Sequence, residues 1–168
     1  MKIKKFNKEE DYKRVINFLT EQYKENKNMV CWLPERFDDL IFRIDTLYHD
    51  ERGGEKSSDY IYIFEDNEAI VGVILPDGDS FNSCIKRGYE NIFSEMLDLS
   101  EKELLPLFER DEDGNIDFLV VSHDSLKYQA EELKKRGYIR DEAGDFDNVQ
   151  HPLEKDYKIE LPVVNKLD

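Results

Sequence analysis

Residues 79–108 constrain the fold of this 168-residue chain more than any other stretch. Residues 79–86 predict a strand, residues 87–91 a tight, charged turn, and the sequence from Ile92 a helix. Apolar side chains recur along that helix at helical spacing, as Phe93, Met96, Leu97, Leu104, Leu105 and Phe108. A strand that passes through a short turn into a helix leaves unpaired backbone N–H groups where the helix begins. Those groups and the helix dipole favour an anion, so this stretch predicts an anion site.

The residues before this stretch predict a strand, two helices and a hairpin. A strand at 2–6 precedes a helix that begins at Lys8, with a buried face of Tyr12, Val15, Ile16, Leu19 and Tyr23. Pro34 fits the first turn of a second helix, with a buried face of Phe37, Leu40, Ile41, Ile44, Leu47 and Tyr48. Aromatic and β-branched residues at 60–64 and 69–75 predict the two strands of the hairpin.

The residues after it predict the rest of a sheet. A continuous apolar run at 116–121 predicts a buried strand. Asp124 or Ser125 is expected to cap a helix that ends at Arg136, with Gly137 as its C-terminal stop. Strands are also predicted at 138–139 and 157–161.

Connection lengths predict the direction of the strands. Short turns make strands 60–64, 69–75 and 79–86 an antiparallel meander. A helical crossover makes strand 116–121 parallel to the last of them. A chain of this length is expected to form one domain over residues 1–162, followed by a tail at 163–168.

Composition narrows the classes of function. The formal net charge of −15 argues against a nucleic acid or an anionic membrane surface as a partner. It is compatible with a cationic substrate such as an amine, and solubility is the alternative reason for it. Cys31 and Cys84 form neither a disulfide framework nor a metal site with a nearby histidine. The N-terminal residues lack the apolar run of a signal peptide, and we expect a cytoplasmic protein without a metal.

The order of these elements, with the segment Leu133 to Tyr138 closing the last helix, resembles the GNAT superfamily of acyl-CoA-dependent N-acetyltransferases. Members often end this helix with an apolar residue, a glycine and an aromatic residue, as Gly137 and Tyr138 do here. The resemblance covers residues 2–161. It implies an α/β fold, an α+β sandwich, whose mixed and mostly antiparallel central sheet has about six to seven strands with four helices on its faces.

The family places acetyl-CoA, its cosubstrate, at the turn before the third helix. Its signature, Gln/Arg-x-x-Gly-x-Gly/Ala, matches residues 88–93 when Met96 and Leu97 are taken as the apolar pair that follows it. Asn91 and Phe93 then occupy the glycine positions, so the phosphate cradle is degenerate. The cofactor-binding residues implied by the resemblance are Ile85, Lys86, Arg87, Gly88, Tyr89, Asn91, Ile92 and Phe93.

The sequence around this signature has two further implications. Glu90 lies beside the expected phosphates, which is electrostatically unfavourable, whereas Lys86 and Arg87 supply positive charge. Degenerate signatures occur in proteins that contain two GNAT units in tandem. The segments around Trp32 and Met96 are similar to such proteins, so the chain resembles the N-terminal, degenerate unit of a tandem-GNAT protein.

Two residues are candidates for proton transfer. Asp79 lies where family members often place a base carboxylate; alternatively, Asp77 and Asp79 are turn residues around Gly78. Leu133 stands where many members carry the tyrosine that protonates the leaving CoA thiolate. Tyr128, one turn earlier, is the candidate substitute, and a core or surface tyrosine is the alternative.

Three other side chains lie where the family binds its substrates. Trp32 and Phe37 belong to the segment that covers the acceptor site, and they are candidate substrate-binding residues with core packing as the alternative. His123 follows the fifth strand near the expected mouth of the cleft, and a solvated or capping histidine is the alternative.

The resemblance implies two functions of different classes. In the first, the chain is an N-acetyltransferase that transfers an acyl group from acetyl-CoA to a small-molecule or peptide amine. In the second, it is a degenerate, non-catalytic module that binds acyl-CoA weakly or acts as a partner domain. A second GNAT domain or a second copy of the chain is the expected protein partner, and the altered signature predicts slight activity or none.

Overall fold

One mixed sheet forms the centre of the fold. The computed structural model describes residues 1–26, 32–44, 56–77, 80–107, 112, 114, 116–123, 125–140 and 150–156. Their strands are β1 (Lys2–Lys5), β2 (Tyr62–Asp66), β3 (Ala69–Asp77), β4 (Ser80–Ile85), β5 (Asp117–His123), β6 (Ile139–Arg140) and β7 (Gln150–Asp156). They lie in the order β1-β2-β3-β4-β5-β7-β6. The α/β class is therefore as predicted.

The described helices are α1 (Lys8–Asn26), α2 (Pro34–Asp39), α3 (Phe93–Leu104) and α4 (Lys127–Lys135). Single turns of other helix types occur at Leu40–Ile44, which is π-helical, and at Ser57–Tyr60, Glu90–Ile92 and Leu105–Leu107, which are 3₁₀. In the part of the chain that the structure describes, no helix is long and apolar enough to cross a membrane.

The predicted meander and its parallel neighbour are confirmed. Strands β2, β3 and β4 pair antiparallel in sequence order, and β5 lies parallel to β4. Asn67 and Glu68 form the tight turn between β2 and β3, with φ values of 48° and 67°. Both residues are left-handed, as a two-residue hairpin turn that matches the twist of its strands requires.

Each face of the sheet carries its own apolar core. Helices α1 and α2 cover one face, where Val15, Phe18, Leu19, Trp32, Phe37, Leu40, Ile41, Ile61, Ile63, Ile70, Val73, Leu75 and Cys84 are buried. Helices α3 and α4 cover the other, where Tyr62, Phe64, Val71, Ile74, Phe81, Ile92, Phe93, Met96, Leu97, Leu104, Phe118, Val120, Leu133 and Tyr138 are buried. Gly72 lets the start of α3 approach β3 closely, because a Cβ there would lie 2.6 Å from Ile92 Cδ1.

Arg136 fixes the end of α4 against α3. Its guanidinium donates to Asp98 Oδ1 at 2.6 Å, to the Ser94 carbonyl at 3.0 Å and to Glu132 Oε1 at 2.9 Å. Gly137 then ends the helix at φ 86°, as predicted, in the left-handed region that glycine favours. These contacts set the position of α4, which carries Tyr128.

Four sequence expectations about the helices and strands were wrong in detail. Tyr23 is 42% exposed and Phe18 takes its place in the buried stripe of α1. Tyr60 lies in a 3₁₀ turn and precedes β2. The second helix changes at Leu40 into a π-helical turn. Leu126 stands at the N-cap of α4, without a side-chain cap from Ser125.

Several expectations fall on other parts of the chain. The predicted strand at 157–161 and the ends of the second and third helices, at Leu47, Tyr48 and Phe108, lie outside the described residues. Strand β7 was not predicted, because Pro152 within it argues against an interior strand.

Candidate functional site

The sheet splits between β4 and β5. Their parallel pairing extends from Ser80 beside Leu119 to Asn82 beside Val121, although β4 continues to Ile85 and β5 to His123. Beyond the point where β4 and β5 separate, each strand remains paired with its other neighbour: Ile85 pairs with β3, and His123 pairs with β7. The carboxyl ends of two parallel strands therefore diverge within the sheet, where ligands of α/β proteins commonly bind.

A cavity of about 90 Å³ lies at this split. Its wall comprises Asn26, Ser83, Ile85, Arg87, Glu90, Leu126, Tyr128 and Gln129. These residues come from α1, β4, the turn after β4 and the start of α4. A complete drug-sized ligand needs a volume of roughly 300 Å³ or more, so a large ligand enters only if wall side chains move.

The buried amide of Gln129 bridges the split. Its Oε1 accepts a hydrogen bond from Ser122 Oγ on β5 at 2.7 Å, and its Nε2 donates to Ser83 Oγ on β4 at 3.1 Å. Nε2 also donates to the Tyr128 hydroxyl oxygen at 3.3 Å. Because Gln129 is only 1% exposed, its amide depends on these partners.

The Tyr128 hydroxyl lies in the cavity wall with its proton available. Its ring packs edge-on against Phe93, with centroids 5.9 Å apart, and it receives the hydrogen bond from Gln129 on its oxygen. Burial raises the pKa of Tyr128 to about 12, against the opposing effect of that hydrogen bond. The phenol is therefore protonated at neutral pH and a weaker acid than an exposed tyrosine, and the hydrogen bond from Gln129 partly offsets this effect.

The turn from Arg87 to Glu90 holds a carboxylate of its own. The backbone N–H of Gly88 donates to both oxygens of Glu90, at 2.9 and 3.0 Å. This hydrogen bonding from the Gly88 backbone, with a second from the Glu90 backbone, holds the pKa of the Glu90 carboxyl below its usual range. Gly88 has φ 93°, a conformation that glycine adopts without strain.

Two other contacts anchor this turn to the sheet. The Tyr89 hydroxyl donates to Asp66 Oδ2 at 2.9 Å, at the end of β2. The backbone N–H of Lys86 donates to the Val71 carbonyl on β3 at 2.9 Å. The turn therefore has a fixed position beside the cavity.

The structure brings together only part of the predicted cofactor site. Ile85 and Arg87 line the cavity. Ile92 and Phe93 are 2% and 1% exposed and pack in the core, so their side chains do not face a ligand. Cofactor binding at the backbone of Ile92 and Phe93 remains a prediction. Asn91 is exposed, and its role remains a prediction.

The predicted substrate residues on the other face of the sheet are buried. Phe37 is 0% exposed and packs edge-on against Phe6, with centroids 5.6 Å apart, as a core residue does. Trp32 is 4% exposed, and the Arg36 guanidinium lies 5.3 Å from its ring centroid. Its indole N–H has no hydrogen-bond partner among the described residues. Core packing accounts for Phe37, and substrate binding by Trp32 remains a prediction.

The remaining candidates differ in outcome. Asp79 lies outside the described residues. His123 Nδ1 accepts a hydrogen bond from the Ser125 backbone N–H at 3.1 Å, which supports the capping interpretation. Among the described residues, no cluster of His, Cys, Asp and Glu could hold a metal ion.

Sequence reasoning missed the residues that bridge β4 and β5. No sequence motif contains Gln129, Ser83 or Ser122. A side-chain amide that bridges two strands depends on how separate elements pack, and the spacing of residues within one element does not indicate it. The sequence offers no signal for these residues, since the burial of Gln129, which makes a partner necessary, is known only from the structure.

Comparisons with known proteins identify the fold. No protein-family model and no curated protein sequence matches the chain. Solved structures do match, among them an acetyltransferase of the GNAT family from Streptococcus pneumoniae, with a TM-score of 0.55 and 11% identity over 93% of this chain and 99% of that one. The ribosomal-protein-S5-alanine acetyltransferase from Vibrio fischeri matches with a TM-score of 0.53 and 9% identity over 91% of each chain. The chain has the fold of GNAT acetyltransferases.

Proposed function

We propose that this chain is an N-acyltransferase that transfers an acyl group from a CoA-type thioester, with acetyl-CoA as the expected cosubstrate, to an amine. The observation that carries the proposal is the split between β4 and β5, with the Tyr128 hydroxyl on its wall. The GNAT-like fold supports the same reaction class. Fold alone does not determine function, so the proposal depends on the site.

Acyl transfer from a thioester needs an amine nucleophile and a proton for the leaving sulfur. The ammonium group first loses a proton to water, and the neutral amine nitrogen forms a bond to the thioester carbon. The carbon–sulfur bond breaks, the nitrogen releases its second proton to water to give the amide, and the thiolate takes a proton. Tyr128 is the proposed donor of that proton: burial makes it a weaker acid, with a pKa of about 12, and the hydrogen bond that Gln129 donates to its oxygen stabilises the phenolate that forms. Gln129 is then a positioning residue that holds the phenol in the cavity wall.

The acceptor is expected to be cationic at neutral pH. The net charge of −15 favours the approach of an amine and disfavours an anionic substrate. A polyamine, an aminoglycoside, an amino acid or a peptide amine would each satisfy this requirement. A second GNAT domain or a second copy of the chain is the proposed protein partner. The mass of the protein in solution tests directly whether two copies associate.

A non-catalytic module is the second candidate function. The Glu90 carboxylate favours it, because this charge occupies the turn where the resemblance places the phosphates of acyl-CoA. Such a module would bind acyl-CoA weakly and transfer no acyl group.

A thiol-release assay separates the two candidates. The protein is mixed with acetyl-CoA and each amine class, and free CoA is measured over time. Amine-dependent CoA release that falls in Tyr128→Phe supports the acyltransferase. A folded protein that releases no CoA with any acceptor, yet binds acetyl-CoA by calorimetry, supports the non-catalytic module.

A further inference from the structure

The Glu90 carboxylate occupies a position that suits a bound anion. Both of its oxygens lie within 3.0 Å of the Gly88 backbone nitrogen, immediately before the helix that continues from Glu90 to Leu104. Backbone N–H groups in such a turn bind phosphate oxygens in many proteins. Here an oxygen anion of the chain itself takes that role.

The Glu90 carboxylate already engages the backbone donor and one cation of this turn. The charged side chains here are Lys86, which is half-buried, Arg87, which is exposed, and Glu90, and the positive charge of Arg87 already acts on Glu90. The backbone hydrogen bonds hold the pKa of Glu90 below its usual range, so the carboxylate is charged at neutral pH. A diphosphate at this turn would have to displace the carboxylate from Gly88 and remain close to it.

The same carboxylate forms part of the cavity wall. Glu90 and Tyr128 both line the cavity of about 90 Å³, and the Glu90 charge contributes to the raised pKa of Tyr128, after burial. A ligand that occupies this cavity beside Tyr128 therefore also lies near Glu90. Among the other lining residues, Ser83 and Gln129 supply uncharged hydrogen-bonding groups, and Arg87 is a cation.

Resting on the acyltransferase function proposed above, we propose that Glu90 is a specificity-determining residue that excludes the diphosphate of acyl-CoA. The cleft then prefers acyl thioesters with a short, uncharged arm that carries amide or hydroxyl groups. Ser83 and Gln129 are the groups that such an arm would meet. Acyl-CoA is used only weakly, because its diphosphate competes with Glu90 for the Gly88 N–H group.

Calorimetric titration of the whole chain with three probes tests this assignment. The probes are CoA, inorganic pyrophosphate and S-acetyl-N-acetylcysteamine, a short thioester without phosphate. In Glu90→Gln the amide oxygen still accepts from Gly88, so the turn keeps its hydrogen bond while it loses the charge. We expect CoA and pyrophosphate to bind at least about tenfold more tightly to Glu90→Gln than to the wild type, and the short thioester to change less than about twofold.

The matched control is Glu95→Gln. Glu95 is an exposed carboxylate in the first turn of α3. This variant therefore removes one negative charge close in sequence to Glu90 and leaves the carboxylate at Gly88 in place. Its affinity for all three probes should equal that of the wild type. Equal gains in the two variants would show a general charge effect and overturn the assignment.

The two proposals fail in different ways. If pyrophosphate and CoA bind Glu90→Gln no better than the wild type, Glu90 is not the excluding residue, whatever the protein catalyses. If Glu90→Gln gains pyrophosphate affinity but no variant binds the short thioester or transfers its acetyl group to an amine, the assignment of Glu90 to diphosphate exclusion holds. The acyltransferase function, and with it the preference for short thioesters, is then wrong.

Discussion

Two carboxylates near helix starts have opposite surroundings. Asp11, in the first turn of α1, is 0% exposed and accepts hydrogen bonds from Lys4 Nζ at 2.7 Å, Arg14 Nη1 at 2.8 Å and the Asn7 backbone at 3.1 Å. Glu90, before α3, is half-buried and is held by backbone N–H groups at the edge of a cavity. Burial raises the pKa of Asp11, but its hydrogen bonds outweigh burial and lower it overall.

The difference separates a structural carboxylate from an exchangeable one. Among the residues that the structure describes, removing Asp11 would leave Glu65 as the one anion near Lys4 and Arg14. Removing the charge of Glu90 leaves a backbone N–H group that an amide, a water molecule or a ligand oxygen can satisfy. A charge that two cations enclose therefore stabilises the fold, whereas a charge at a cavity edge selects what enters.

The largest expected effect is on stability. Asp11→Ala should lower the free energy of unfolding by about 2–3 kcal/mol, because Lys4 and Arg14 lose their buried acceptor and keep Glu65 as their remaining anion among the described residues. Urea denaturation measures the loss. Glu10→Ala, which removes an exposed carboxylate from the same turn, is the control and should change stability by less than about 0.5 kcal/mol. A loss below about 1 kcal/mol in Asp11→Ala would break the comparison.

The next effect concerns chemistry at the cavity. Tyr128→Phe should lower the rate of acyl transfer to an amine by about a hundredfold, which is the usual size of general-acid assistance. The KM for the thioester should change little. Initial rates of CoA release measure it. Tyr23→Phe, at an exposed position of α1, should keep the wild-type rate. If Tyr128→Phe transfers acyl groups as fast as the wild type, the phenol is not the acid.

Acid should affect Asp11 through its lowered pKa. The unfolded carboxyl, with an ordinary value of 3.8, binds protons more readily than the folded one. Stability from Asp11 is therefore fully present above pH 3.8 and is lost as the pH falls through the folded pKa, by at most about 1.4 kcal/mol per pH unit. Unfolding measured from pH 6 to 2.5 should show the stability of Asp11→Asn approaching that of the wild type. A constant difference would contradict this linkage.

The smallest expected effect is the stability of Glu90→Gln. Because the amide keeps the hydrogen bond from Gly88, the free energy of unfolding should change by less than about 1 kcal/mol. Thermal unfolding of Glu90→Gln and of Asp11→Asn under the same conditions compares the loss of stability when each carboxylate is neutralised. A loss in Glu90→Gln as large as that in Asp11→Asn would make both carboxylates structural.

The elements around the site were predictable because their signals are local. The hairpin of β2 and β3, the turn at Gly88 and the start of α3 follow from β-branched runs, a glycine and helical spacing. The parallel pairing of β4 and β5 followed from the crossover between them. The place of Asp11 in the core was not visible, since an acidic residue in a first helical turn is normally solvated.

The contents of the cleft were harder to predict. The sequence marked Glu90 as unfavourable beside a phosphate, but it did not indicate that this side chain turns back onto Gly88. Tyr128 was identified from its place on the helix, whereas its partner Gln129 carried no signal. Side-chain hydrogen bonds between distant elements depend on the final packing, and no spacing rule describes them.

The short junction between β4 and β5 also has a consequence for the order of folding. The meander of β2, β3 and β4 is built from neighbours in sequence, so its hydrogen bonds close small loops and form early. Strand β5 joins it through pairing from Ser80 to Asn82 only, and the Gln129 amide bridges the strands beyond that point. We therefore expect the amide hydrogens of β5 to exchange with solvent through partial openings that leave the meander protected.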